Sequence, residues 1–428
     1  MSDDNFTEES NESDDNFTEE SNESDNNFTE ESNESDDNFT EVSNESWLSR
    51  IGGAIKGIVL GFIFLIVAFP LLFWNEGRAV KQFKTLQEGS GAVVSVMSDK
   101  VDSVNAGKLV HMTGKADTTM ILMDPVFGVC ANGLKLKRVV DMYQWKETIE
   151  SNTQKKPGGG TETVKTFKYT KEWMDKAIKS AEFKQSVNHK NPGSLPYEST
   201  EQIADMVTIG AFALPAFFVR EISNFEALPV NSDTPLPTLL TSKASVHDAG
   251  FYLGADPATP QVGDIRIMFK FAKPSEVSVI AKQVENTLEP YHTKAGGEIA
   301  LLQMGIVAAD TMIQRAQENN EVLTWIFRFV GFLLMLFGLY MMFNLLSVLA
   351  DVLPILGDIL ASGIWIISFF IAAILSLITI AIAWIFFRPI LGIILFVVVV
   401  GLLVVFKRKL NSAKGVRRIQ TTVKRALE

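Results

Sequence analysis

The chain has 428 residues, 47% of them hydrophobic, with 50 acidic against 39 basic side chains and a formal charge of −11. A single cysteine excludes an intramolecular disulfide and a cysteine-based zinc site, and the nearly neutral stretch between 75 and 324, without net positive charge, argues against a nucleic-acid binder. The charge is segregated: residues 1–46 hold 18 acids and no Lys or Arg, whereas Lys407–Glu428 hold eight bases and one acid.

The 44 residues after Met1 are one 11-residue unit written four times: SDDNFTEESNE, SDDNFTEESNE, SDNNFTEESNE and SDDNFTEVSNE. An 11-residue period can mark a right-handed coiled coil, but that needs two apolar positions per unit. Phe6, Phe17, Phe28 and Phe39 supply one each, so residues 1–46 are expected to be disordered. The repeats read as an acidic tether with four aromatic stickers, or as an expansion without a strict role. Eight N-x-S/T sequons in the tail matter only in a glycosylating compartment.

Residues 57–74 form an uncharged run of about 27 Å as a helix, enough for one membrane crossing. Further apolar runs cover 329–350, 362–387 and 390–406, and Trp74, Trp325 and Trp384 sit near their ends, where indoles prefer the interface. Four crossings put both termini on one side. The basic 407–428 tail, with Arg50 and Lys56, makes that side cytoplasmic, and residues 75–324 become a lumenal or periplasmic domain. Gly331 and Gly338 share a helix face and allow close packing. The ionisable residues Arg328, Asp351, Asp358 and Arg388 fall at span ends, which disfavours a pump, carrier or channel.

The run FWNEGRAVK begins where the apolar residues stop, so Asn75–Glu76–Gly77–Arg78 reads as a membrane exit, with a local Glu76–Arg78 ion pair. Between 75 and 286 the pattern is strand-like, in GAVVSV, KLVHMTG, LKRVVDMYQWKETIE, TVKTFKYT, DIRIMFKFA and EVSVIAKQV. GDIRIMFKFAKPSEVSVIAKQV reads as a hairpin turning at KPSE, and KKPGGGTET as an exposed loop. Helices are expected at 170–183 and 311–324. The fold class is therefore an integral membrane bundle of four helices with an inserted mainly β or α+β domain.

No catalytic or metal-binding spacing stands out. His111, His189, His247 and His292 are scattered, and GGG at 158–160 lacks the strand-to-helix setting of a phosphate cradle. Asp141 and Glu147, six apart on one strand, lie about 20 Å apart, too far to share a reaction. Cys130 reads as a small core residue. Neither cofactor nor metal is expected.

The ordered set FWNEGRAVK, GKLVHMTG, DPVFGV, LKLKRVVDMYQWKE, HKNP, VGDIRIMF and FFRP resembles the transmembrane protein 43 family, also called LUMA, over about residues 57–406. The acidic repeats and the strongly basic end depart from it. The resemblance implies a four-span protein with a large lumenal domain after the first span. In animals such proteins sit at the endoplasmic reticulum and inner nuclear membrane, self-associate and organise envelope proteins such as lamins and emerin; a bacterial member would occupy the inner membrane. It carries over no catalytic residues. It leaves Asn75, Glu76, Gly77, Arg78, Tyr143, Trp145, His189, Asn191, Pro192, Gly263 and Asp264 as motif positions of unassigned task. A membrane scaffold, with lipids, further copies and envelope proteins as partners and no nucleic acid, is the leading expectation. The alternative is a membrane-tethered enzyme or lipid or envelope-ligand binder, marked by Glu147, His189 and Asp264 converging in one cleft.

Overall fold

The computed structural model describes residues 38–231, 244–390 and 394. Strand β1 (Asn38–Glu45) leads into helix α1 (Trp47–Ala92); a sheet-rich domain follows, and the chain returns as helices α2 (Ala309–Ala350) and α3 (Pro354–Phe387). Among the described residues these three helices are long and apolar enough to cross a membrane, and they contain the runs 57–74, 329–350 and 362–387. The expected fourth span, 390–406, lies almost wholly outside the described residues, as do 407–428 and 1–37.

Helix α1 starts at an N-cap, where the Ser46 hydroxyl accepts the Ser49 N–H at 3.2 Å. Its 46 residues run about 69 Å. Past Trp74 it stays helical because Asn75, Glu76, Ala79, Val80 and Leu86 recur on one buried face. It packs on α2 with the backbones in contact. A Cβ on Gly61 would lie 2.5 Å from the Gly338 carbonyl oxygen, and one on Gly338 would lie 2.7 Å from that of Gly61. The close packing expected of Gly331 and Gly338 is therefore present, with Gly331 beneath the Leu72 side chain.

The domain is two facing sheets. Its main strands are β2 (Leu109–Asp117), β3 (Lys135–Lys155), β4 (Thr161–Met174), β5 (Gly250–Leu253), β6 (Ile265–Ala272), β7 (Ser275–Val284) and β8 (Leu301–Met304). The eight-stranded sheet runs β1–β4–β3–β6–β5 and on to Ala244–His247; in the seven-stranded sheet β7 pairs with both β2 and β8. Inward residues alternate: Ile265, Ile267 and Phe269 of β6 and Leu136 and Val140 of β3 meet Val110, Met112, Val277 and Val279 of the other sheet. The outer face of β7 is covered as well, since Ile280 packs with Leu86 of α1 and Met312 and Ile313 of α2. Helices α1 and α2 thus run unbroken from their apolar runs into the domain.

Several expectations need correction. The tail is not disordered through residue 46, because Asn38–Glu45 pairs antiparallel with β4 from Asn38↔Lys168 to Glu45↔Thr161. An existing strand edge supplies the ladder that the isolated unit lacks, and Phe39 rests on Phe167 at 5.9 Å. Only this unit carries Val42 where the others have Glu, and Val42 sits opposite Val164. The KPSE segment joins two real strands that do not pair with each other. β6 pairs with β3 and β7 with β2, so Lys273–Pro274 carries the chain from one sheet to the other. The helix expected at 170–183 is the end of β4 followed by a 3-10 turn, Ser180–Glu182, because Phe167 and Tyr169 are buried at period two. Cys130 is exposed, on a short strand, Cys130–Asn132.

The short helix Ala216–Glu221 buries Phe218 and Val219. Glu221 stays exposed at its end, but partial desolvation still raises its carboxyl above the usual range. A carboxyl with a raised folded-state pKa weakens the fold once pH climbs through that pKa. Glu221→Gln is therefore expected to unfold at a higher temperature than the parent at pH 7, with the two curves converging below about pH 4. Thermal scans at both pH values check this.

Beyond Met142, β3 leaves the domain paired to β4, and the two strands make an arm whose root is Tyr143–Trp173 and whose turn is Lys156–Gly160. Thirteen residues at about 3.3 Å each carry it roughly 40 Å. Its tip reaches the far ends of α1 and α2. Lys155 Nζ lies 2.6 Å from Asp351 and 2.8 Å from Asp358, and Arg50 lies 2.5 Å from Asp351, which is 1% exposed. Arg50 also donates to the Gly159 carbonyl, and Trp47 Nε1 to that of Val348 at 2.8 Å. Gly159 has φ +84°, and a Cβ there would strike the Trp47 indole, so glycine is required twice over.

Candidate functional site

The motif positions gather in two places. The first is the junction where α1 leaves its apolar run. Asn75 and Glu76 are fully buried on α1, facing α2 and the end of α3. Glu76 does not pair with Arg78 as expected. Its Oε1 accepts from Arg328 Nε at 2.6 Å, and its Oε2 accepts from Arg328 Nη2 at 2.9 Å and Trp384 Nε1 at 2.8 Å. The Arg328 guanidinium also lies over Trp325 at 4.8 Å. Gly77 admits the Phe387 ring, which a Cβ would meet at 2.6 Å.

Arg78, a helical turn from Asn75, faces α2. It donates to Asn320 Oδ1 at 2.9 Å, Thr324 Oγ1 at 3.0 Å and Asn75 Oδ1 at 3.2 Å. Asn75 Nδ2 donates to the Thr324 carbonyl at 3.0 Å, and Asn320 Nδ2 to that of Ala79 at 3.1 Å. Four consecutive residues thus clamp one helix to two others. A carboxylate held by two guanidinium nitrogens and an indole is fully engaged, so the junction has the chemistry of a lock.

The second place is the root of the arm. The Tyr169 hydroxyl donates to Glu147 Oε2 at 2.6 Å, which also accepts the Lys184 N–H at 2.7 Å; Gln185 N–H donates to the hydroxyl at 3.0 Å. Burial, reinforced by the Glu147 carboxylate, pushes the Tyr169 phenol well above its ordinary range, so it stays protonated. His189 stacks on Tyr169 at 3.8 Å and meets Trp145 edge-on at 4.6 Å. Its Nδ1 lies 3.0 Å from the Gln185 carbonyl, a contact that assigns the proton to Nδ1. Lys171 covers Trp145 at 4.4 Å. Asn191 mimics a strand partner, accepting from Trp145 N–H and donating to its carbonyl, both at 2.8 Å.

Pro192 lies against Gly263, where a Cβ would meet its ring at 3.3 Å. Gly263 has φ +101°, and its N–H donates to the Tyr143 carbonyl at 2.9 Å. Tyr143 stacks against Trp173 at 5.2 Å. Asp264 accepts from Tyr252 OH at 2.5 Å and Gln261 N–H at 2.7 Å, and burial plus that carboxylate raise the Tyr252 phenol. Asp141 pairs with Arg266 at 2.8 Å. The structure therefore joins Tyr143, Trp145, His189, Asn191, Pro192, Gly263 and Asp264 around the arm root, where His189 Nδ1, the Asn191 amide and the Asp264 carboxylate are each bonded to a neighbour. Glu147 and His189 share Tyr169, while Asp264 serves Tyr252, so the three do not converge on one cleft. Among the described residues no group of three His, Cys, Asp or Glu side chains is placed to hold a metal.

Sequence reading missed Arg328, Asn320, Thr324 and Trp384 as partners of the exit motif, because they stand about 240 to 310 positions away. The available signal was Arg328 at the edge of an apolar run with Trp325 beside it.

Compared with known proteins, residues 142–389 match a family profile described as Transmembrane protein 43. That stretch holds the arm, its root, α2 and α3. Transmembrane protein 43 of Rattus norvegicus is 35% identical over 359 residues, covering 80% of this chain and 88% of the relative. The Homo sapiens protein of that name is 34% identical over 359 residues with the same coverage. The Drosophila melanogaster homolog is 32% identical over 345 residues, 78% of this chain and 89% of its own. No solved structure matches.

Proposed function

Since the chain belongs to the transmembrane protein 43 family, we propose that it is a multi-span membrane scaffold that self-associates and gathers membrane or envelope proteins through its sheet-rich domain. The observation that carries this is mechanical: α1 and α2 enter the domain without a break and bury Leu86, Met312 and Ile313 against Leu109, Ile280 and Ile299. A domain fused to its membrane helices this way is held at fixed height and tilt, as a docking platform requires. Glu76, Asn75 and Asn320 at the junction and Glu147, Asn191 and Asp264 at the arm root are bonded to neighbouring groups of the chain, which supports a scaffold over an enzyme.

In this reading residues 390–406 add a fourth crossing, both termini face the cytoplasm, and the domain lies in the lumen or periplasm. The membrane is the endoplasmic reticulum or inner nuclear membrane in a eukaryote and the inner membrane in a bacterium. Two copies with different tags, co-expressed and extracted in mild detergent, are expected to purify together. In sealed vesicles the domain should resist protease while both terminal tags are clipped. Separate elution of the two tags, or a clipped domain with protected tags, would overturn the reading.

A further inference from the structure

The arm ends where the apolar helices end. The domain meets α1 through Glu88, which accepts the Lys294 N–H at 3.0 Å, and through Ile299, packed on Gly89. At the arm's tip Lys155 meets Asp351 and Asp358, beyond the other end of the apolar runs. The stretches 57–74 and 329–350 lie between, about 27 and 33 Å of helix at 1.5 Å per residue. The outer arm, with β1 alongside, therefore runs at the same depth as the lipid-facing helix surface.

Its chemistry does not suit that depth. Residues 148–155 read TIESNTQK, and all but Lys155 are exposed. Among the described residues, β3 beyond Trp145 has β4 on one side only and β1 is the last strand of its sheet, so both outer margins present backbone N–H and C=O groups without a strand partner. Open sheet edges do not face hydrocarbon, because each unpaired group there costs several kcal/mol. A latched arm and a lipid jacket around the same helices exclude one another.

We infer that the arm is a strap latched only while its helices are free of lipid, and released when they enter a bilayer. On release Lys155 leaves Asp351, the fourth repeat leaves β4, and the edge 161–168 opens on the domain's side. The Arg50–Asp351 pair stays behind to tie the far ends of α1 and α2 together. The inference rests on the membrane-spanning reading above and goes beyond it.

The test uses full chains with Cys130→Ser, so that no exposed native thiol competes, plus Thr40→Cys and Thr166→Cys. These two positions oppose each other in register on β1 and β4, with Cβ atoms about 5 Å apart. Cell-free product made without membranes is expected to form the intrachain disulfide on mild oxidation. The same chain made into sealed vesicles is not, and an impermeant maleimide should reach position 40 and position 166 from opposite faces. A disulfide in vesicles at the membrane-free yield, or labelling of both positions from one face, overturns the strap. Failure to form it without membranes also overturns it. Alkaline extraction of the same vesicles separates the two claims. A chain that stays in the pellet yet cross-links sinks the strap alone, and one that is washed out sinks the spanning reading with it.

Discussion

Glu76→Gln is expected to lower the stability of the detergent-solubilised chain by about 3–5 kcal/mol, because it leaves Arg328 buried against α1 without its counter-ion. The amide still accepts from Trp384, so the loss isolates the charge. The side chains are 0% and 14% exposed, so solvent screens the pair little. The sign of the double change distinguishes a lock from a merely tolerated pair. Glu76→Leu combined with Arg328→Met removes both charges and should recover most of the midpoint, as apolar replacements of buried pairs do. Tryptophan fluorescence during thermal unfolding reads the outcome, with Trp384 and Trp325 at the site. A single mutant within 1 °C of the parent would refute the lock.

Asp124→Ala is expected to damage the domain by a similar amount while leaving the helices paired. Asp124 is 2% exposed and accepts Arg138 Nη1 on both oxygens, at 2.9 and 2.8 Å. It also accepts the N–H groups of Val126 and Phe127 at 3.0 and 2.8 Å. Alanine strands a buried guanidinium and frees the turn that seats Phe127 between Phe251 and Phe269. About 3–5 kcal/mol corresponds to a midpoint roughly 10 °C lower for a domain of this size. Limited proteolysis should cut the variant inside 109–304 and spare the tryptic pattern of α2 and α3. Equal protection of parent and variant would show that the turn holds without its carboxylate.

How far each feature was legible depended on the range of the interaction behind it. The three helices were readable because a bilayer-length apolar run is a local property, as were β3, β6 and β7, whose alternation lies in consecutive residues. The extension of α1 past Trp74 was missed because Asn75, Glu76 and Arg78 look like a break until Asn320, Thr324 and Arg328 are there to receive them. KPSE misled for a related reason: proximity favours pairing β6 with β7, but two sheets each needed a central strand, and β3 and β2 were better partners. Phe39 and Val42 of the fourth repeat had nothing local to bury against, so their strand depended on an edge more than 100 residues away. The arm-root motifs were visible as residues, but their task was not, because Tyr169 and Gln185, which tie Glu147 and His189 together, carry no pattern of their own.

The contact of Gly61 with the Gly338 carbonyl has a consequence for motion. Two helices whose backbones touch have no side-chain layer to shear, so α1 and α2 cannot slide or roll past each other in small steps. They tilt as one rod. Because the same rod is rooted in the sheet at Leu86, Met312 and Ile313, any change in bilayer thickness or curvature that tips the helices swings the domain through the same angle. The heading of the domain is thus set by the heading of this helix pair.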